Sequence, residues 1–357
     1  MPRLRLRVRD VGYLDALEEA WRAHRRRRKR DAPTVVSTFA GIGGSSLGYS
    51  MAGYRELLAV EWEEDPVRTF RLNFPGVYVH HGDIKALSGR EALDLAGLEP
   101  GELDVLDGSP PCQGFSTTTR GRRDASDPRN DLFLEFVRLL DALRPRAFVM
   151  ENVTGMVKGM MKPIFVEILR TLKAQGYRAR SWMLNAAHYG VPQARRRVIF
   201  IGYREDLGVD PTSPPPAERP IPVREAILGA PDGPFFRPKS YAKWARQLRP
   251  GQCVGDIHPK GHGYNMVRLD ASKPAPTLTK THTTAIGHLH PTEERFLSVP
   301  EAARISSFPD QFAFAPLEPE SKYIAAAVGG LGNCVPPIFM RAIASHVRAE
   351  ALGGRDA

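Results

Sequence analysis

From Thr34 onward the sequence repeats one local pattern: a short apolar run, a turn, then a helical stretch. The apolar runs fall at residues 35–39, 57–60, 77–80, 105–106, 147–150, 181–184 and 198–201. Helical periodicity fills several of the gaps, as at 131–143 and 163–173. Strands alternating with helices predict an α/β domain built on a mainly parallel sheet covered on both faces. Such sheets bind ligands beyond the carboxyl ends of their strands, so the residues just after each run carry the functional argument. After Tyr203 the pattern stops. Residues 206–238 are rich in proline, irregular sequence continues to about His290, and helical pattern returns at 300–307 and 337–351. That change predicts a second, smaller lobe whose loops serve specificity rather than chemistry.

A length of 357 residues agrees with two lobes. Hydrophobic residues at 42% and charged residues at 25% exclude wholesale disorder. No uninterrupted apolar run approaches the roughly 18–20 residues that cross a bilayer, and the Arg-rich start lacks the apolar core of a secretory signal. Three cysteines without a CxxC pair (Cys112, Cys253, Cys334) argue against a disulfide framework and a structural zinc site. A cytoplasmic protein with no metal is therefore expected. Its net charge of +10 is uneven: residues 1–31 hold eleven Arg/Lys against five Asp/Glu, densest at Arg25-Arg26-Arg27-Arg28-Lys29-Arg30. Such an excess favours a polyanionic partner through phosphate contacts, with a solvated tail as the alternative. Val11, Leu14, Leu17 and Trp21 lie at helical spacing just before the run and predict one amphipathic helix.

The first apolar run opens into Phe39-Ala40-Gly41-Ile42-Gly43-Gly44. Glycine clustered where a strand turns into a helix lets backbone approach a ligand, here the methionine or ribose end of a nucleotide-like cofactor; a tight turn without a ligand is the alternative. Glu61 follows the second run, twenty positions after Gly41, where a carboxylate accepts hydrogen bonds from ribose hydroxyls. Trp62 is placed to cover an adenine face, and Asp83, after the third run, to meet the adenine amino group. The fourth run leads into Asp107-Gly108-Ser109-Pro110-Pro111-Cys112-Gln113-Gly114-Phe115-Ser116. Two prolines stiffen the backbone before the cysteine, and Arg120, Arg122 and Arg123 supply the positive charge that favours a thiolate. A lone cysteine is usually a small buried hydrophobe; this stiff, polar setting reads as a nucleophile. Glu151-Asn152-Val153 ends the fifth run and reads as a site acid, a helix cap or a solvated acid. Before the last run comes Gln193-Ala194-Arg195-Arg196-Arg197, where Gln193, Arg195 and Arg197 share one face of an extended strand. An amide and two guanidinium groups are expensive to bury without partners, so a ligand is expected there, with a surface basic edge as the alternative.

Together these blocks resemble the DNA cytosine-5 methyltransferase family of the bacterial restriction-modification type. The likeness continues through His290-Pro291, Pro300-Glu301-Ala302-Ala303-Arg304, Phe308-Pro309-Asp310 and Gly332-Asn333-Cys334-Val335-Pro336-Pro337, all in the family's order. It implies a Rossmann-like, S-adenosylmethionine-dependent methyltransferase domain with a smaller, irregular target-recognition lobe. The implied divisions are a basic, helical extension at 1–33, a catalytic domain at 34–205, a recognition lobe and hinge at 206–320, and a segment completing the catalytic domain at 321–357. By the resemblance, Cys112 adds to C6 of cytosine, Glu151 holds N3 and the exocyclic amine, Arg195 binds O2, and Arg197 and Gln193 orient the base, the loop or the cysteine. Phe39, Gly41, Ile42, Gly43, Glu61, Trp62, Asp83, Ile84, Pro111, Asn333 and Val335 would bind S-adenosylmethionine. Ser116, Arg120, Arg122, Arg123 and Thr277 would contact double-stranded DNA, from which the target base must be flipped.

The implied partners are DNA and a separate endonuclease or another defence module, with no membrane. The rival readings are an RNA (tRNA) cytosine methyltransferase on the same fold and a DNA-binding regulator that has lost catalysis. Two features depart from the family pattern. The extension before Thr34 has no counterpart in it, and Gly329-Gly330-Leu331-Gly332 is richer in glycine than usual, which predicts a looser turn there. Cys334 reads as packing.

Overall fold

The computed structural model describes residues 12–111, 131–157, 162–216 and 219–353. In chain order the elements are α1 (Tyr13–Arg25), β1 (Thr34–Thr38), α2 (Gly44–Met51), β2 (Arg55–Glu61), α3 (Glu64–Asn73), β3 (Tyr78–His81), α4 (Gly89–Ala96), β4 (Val105–Gly108), α5 (Asp131–Leu143) and β5 (Ala147–Val153). There follow α6 (Lys162–Ala174), β6 (Tyr177–Asn185), β7 (Gln193–Ala194), β8 (Arg196–Arg204), α7 (Val223–Ile227), α8 (Ala242–Ala245), β9 (Met266–Arg268), β10 (Ala275–Pro276), β11 (Gly287–Leu289), α9 (Val299–Ile305), α10 (Glu320–Asn333) and α11 (Pro337–Ala351). Every apolar run read from the sequence lies on or across a strand of one seven-stranded sheet, ordered β3-β2-β1-β4-β5-β8-β6. Its first four pairings are parallel. β8 alone runs antiparallel, between β5 and β6, because the ten residues joining β6 to β8 are too few for a crossover helix.

The chain leaves β1 outward to β2 and β3, then returns to β4 on β1's other side. The switch point therefore falls between the carboxyl ends of β1 and β4, where an open α/β sheet forms its ligand crevice. β1 is buried along its whole length, as the middle of a sheet covered on both faces requires. The core on one face joins Val36, Leu58, Leu106, Phe136, Phe148 and Phe200.

The chain divides into two compact units. One contains the sheet and comprises Arg27–Asn185, Arg196–Pro214 and the chain from Met340 onward. The other comprises the chain through Arg26, Ala186–Arg195 and Pro215–Phe339. This second unit is loop-rich, with two small parallel pairs, β7–β10 and β9–β11, and a small core of Leu248, Val254, Met266, Leu289 and Phe296.

Two features correct the sequence reading, and a third adds to it. The helix before the Arg run exists, but its buried face is Tyr13, Leu17 and Ala20, with Leu14 and Trp21 only half-buried. The Tyr13 hydroxyl donates to the carbonyl of Arg304, so α1 is a packed element of the loop-rich unit. Arg28 donates to the carbonyl of Ser50 in the sheet unit, which ties part of the basic run to the protein. The glycine-rich stretch before Asn333 is no loose turn: it is the last part of α10. A side chain at Gly332 would lie 2.3 Å from the carbonyl of Thr279, and one at Gly329 would lie 2.9 Å from that of Lys280. Glycine is used here for close packing. Finally, the helical stretch Glu320–Ala351 is long and apolar enough to cross a membrane by length and composition, where the sequence showed no unbroken run; 61% of its most apolar window is buried inside the protein.

Candidate active site

The turn after β1 is shaped by backbone conformations that ordinary residues avoid. Phe39 has φ 56°, and Gly41 and Gly43 have φ 55° and 93°. A left-handed Phe is costly and is held by its surroundings. The amide of Ala40 donates to Val60 and that of Gly43 to Ala40, both at 3.0 Å. Gly43 caps α2, and a Cβ on it would strike Phe74 at 2.5 Å. A Cβ on Gly41 would meet nothing within 4 Å, so the turn presents bare backbone to open space. Ile42 is buried beneath it.

Glu61, at the end of β2, is bound to the same turn. Its carboxylate accepts from the amides of Gly41 (2.7 Å), Trp62 (2.8 Å) and Glu63 (2.9 Å). Burial pushes this carboxyl above its ordinary range while the three amides pull it down. The three bonds leave lone pairs for a further donor. Trp62 beside it is 70% exposed. Asp83 caps a short helical turn by accepting from Lys85 at 3.0 Å, and Ile84 is buried. An open glycine turn, a carboxylate, a bare indole and an acid thus follow three neighbouring strands. This donor set fits an adenosine-bearing cofactor.

The end of β4 leads to Pro110, Pro111 and the proposed nucleophile. Cys112 lies outside the described residues, as do Ser116, Arg120, Arg122 and Arg123. Within the described residues, the buried Asn152 on β5 donates to the carbonyl of Pro110 at 3.0 Å. Beside it Glu151, 8% exposed, pairs with Arg197 on β8 at 2.6 Å. Adjacency of β5 and β8 in the sheet brings them together. Asp107, one residue before the end of β4, is buried, and its carboxyl is pushed up to about 7 by desolvation. Glu56 on β2 is pushed up to about 8 by the same cause. The sequence reading gave no role to Asn152, Asp107 or Glu56. The available signal was an acid inside a strand that is otherwise apolar.

Gln193 and Arg195 belong to the loop-rich unit, and the strand breaks between Ala194 and Arg196. The single extended strand expected through Gln193, Arg195 and Arg197 is therefore corrected: it is interrupted at Arg195. Arg195, 1% exposed, donates to the carbonyls of Leu278 (3.1 Å) and Gly332 (2.9 Å). The side chain of Gln193 accepts from the Leu278 amide (3.2 Å) and donates to Ser306 (3.4 Å). The protein's own main chain therefore meets much of the burial cost that the sequence assigned to a ligand. Thr277 donates to the carbonyl of Ala194 at 3.1 Å. Asn333 is exposed at the end of α10, Cys334 is buried with its thiol on Leu331, and Val335 is buried.

A parallel-rich sheet with a cofactor turn after β1 and an acid after β2 is the fold of the Rossmann-like methyltransferases. The model of the C-5 cytosine-specific DNA methylase family matches residues 34–233 and 236–349, and the chain belongs to that family: it is a DNA cytosine-5 methyltransferase. It is 34% identical to the Type II methyltransferase M1.HphI of Haemophilus parahaemolyticus, over 88% of this chain and 86% of the relative. It is 32% identical to M.DdeI of Desulfomicrobium norvegicum, over 88% of both chains. Among solved structures, a prophage-encoded DNA modification methyltransferase from E. coli superposes with a TM-score of 0.73 at 24% identity, covering 89% of this chain and 99% of the other. The DNMT2 structure from Spodoptera frugiperda gives 0.66 at 19% identity, covering 88% and 99%. α1 lies before the first residue that the family model matches.

Proposed function

We propose that this chain methylates C5 of a cytosine flipped out of a specific duplex sequence, through a covalent adduct of Cys112 at C6. The observation that carries the reading is the joint between β4 and β5. Asn152 holds the carbonyl of Pro110 two residues before Cys112, while the adjacent Glu151, near the end of β5, is a buried acid paired with Arg197. C5 of cytosine is a weak nucleophile. Addition of the Cys112 thiolate to C6 makes it an enamine carbon, and Glu151 at N3 and the exocyclic amine offsets the charge that develops on the ring. Arg197 sets the rotamer of Glu151, and Arg195 meets the base O2. Loss of the C5 proton then expels Cys112 and restores the ring.

S-adenosylmethionine supplies the electrophilic methyl group. The Phe39–Gly43 turn would hold its methionine end, Glu61 its ribose, and Trp62 and Asp83 its adenine; Ile42, Ile84, Pro111, Asn333 and Val335 complete the set. Ser116, Arg120, Arg122, Arg123 and Thr277 would face DNA, with base readout in the irregular segment after Asp206. Relatives named as Type II methyltransferases support a partnership with a separate endonuclease that shares the target site.

The test is methyl transfer from labelled S-adenosylmethionine to unmethylated duplex DNA and to tRNA, with 5-methylcytosine mapped at base resolution. Label at one recurrent DNA sequence, abolished by Cys112→Ala while cofactor binding persists, is the expected result. Label confined to tRNA, or undiminished in the Cys112→Ala variant, would overturn the proposal.

A further inference from the structure

Beneath the glycine turn lies a set of buried polar side chains that the chemistry above does not use. The Asp107 carboxyl on β4 accepts from the Tyr49 hydroxyl at 3.3 Å. Tyr49 stands in the second turn of α2, so this carboxyl is bonded to the helix that follows the glycine turn. On the other side Ser46 of α2 donates to Ser37 of β1 at 3.4 Å. The level of β4 against β1 is fixed as well. Thr38 donates to the Asp107 carbonyl at 3.0 Å, and a Cβ on Gly108 would lie 2.3 Å from the Thr38 hydroxyl oxygen.

We propose that Asp107 is a positioning residue for the cofactor turn: by holding Tyr49 it sets where α2, and with it the Gly41–Gly44 amides, stand at the switch point between β1 and β4. The inference rests on the S-adenosylmethionine reading above. β4 and β1 both reach up to one short helix, and the helix starts at the glycine whose conformation shapes the turn. Backbone amides at a helix start are suited to a carboxylate such as the methionine end of the cofactor, and a ligand site is only as accurate as the side chains that hold it. Burial favours the uncharged form of Asp107, so asparagine reproduces its shape and its hydrogen-bonding capacity while alanine removes both.

The experiment measures S-adenosylmethionine binding to the full chain by calorimetry without DNA, alongside methyl transfer at saturating cofactor. Asp107→Ala should raise the cofactor Kd about fivefold to tenfold, the scale of one lost hydrogen bond, with kcat within about twofold. Asp107→Asn should bring Kd back to within about twofold of wild type. Tyr49→Phe breaks the same contact from the helix side without opening a cavity, and should raise Kd in the same direction; it decides the matter if Asp107→Ala does not fold. Unchanged Kd in the Asp107→Ala and Tyr49→Phe variants, or an asparagine variant as weak as alanine, would overturn the positioning role. A wild-type chain that binds no S-adenosylmethionine would instead overturn the cofactor reading on which it rests.

Discussion

Glu151 and Arg197 are 10% and 13% exposed at their side chains and 2.6 Å apart, so each is the other's main counter-charge in nearly dry surroundings. Removing one partner from a buried pair leaves a charge without compensation, a loss of about 3–5 kcal/mol. Arg197→Ala should therefore lower unfolding stability by about that amount and abolish methyl transfer, whereas Glu151→Gln should abolish transfer with a smaller stability loss. Urea denaturation with parallel activity assays separates the two, and equal stability losses would refute the asymmetry. Where strands end was readable from sequence at this scale, because acids and glycines after apolar runs mark those ends. Their partners were not. Glu151 meets Arg197, and Asn152 meets Pro110, only because β5 lies between β4 and β8, and strand order is not written in any local stretch of chain. Arg195 shows the same limit: its ligand-like need for partners is partly met by carbonyls 83 and 137 positions away.

Among the elements, strands were easier to place than helices rich in small residues. An apolar run between turns announces a strand, but Gly329-Gly330-Leu331-Gly332 announces flexibility and yet completes α10. What overrides propensity is contact: the backbone of Thr279 and Lys280 comes so close that only a hydrogen fits on Gly332. The Gly332 carbonyl also receives Arg195. Gly332→Ala would gain roughly 1 kcal/mol in helix propensity. It would also place a methyl 2.3 Å from a carbonyl, an overpacking cost of about 1–3 kcal/mol or more. The net expectation is a less stable protein with a lower melting temperature, and a stabilised variant would show that the two segments separate at little cost. α1 teaches the complementary lesson. Its helical period was visible, but its buried face is set by what it packs on, including the carbonyl of Arg304, and so turns toward Tyr13, Leu17 and Ala20.

Over the whole molecule, buried titratable groups give the two units opposite responses to pH. In the loop-rich unit, desolvation pushes His282 and His288 down to about 4, and His290 is lowered in the same direction. Unfolded histidine titrates near 6.5, so between about pH 6.5 and 4 the unfolded state binds more protons. Stability of this unit is fully present above that window and falls as pH drops through it. In the sheet unit, Asp107 and Glu56 are raised to about 7 and about 8. There the folded state binds more protons, so its contribution is complete below the ordinary carboxylate range and is lost as pH rises toward 8. Hydrogen exchange read peptide by peptide and corrected for intrinsic rates should show the loop-rich unit losing protection from pH 6.5 to 5. The sheet unit should lose it as pH rises from about 4.5 to 8. Substituting Glu56→Gln and Asp107→Asn together should remove this loss with rising pH in the sheet unit and leave the acid loss in the other unit unchanged. If both units lost protection together at each extreme, the buried groups would not be acting locally, and the pH response would have to come from the net charge of the whole chain.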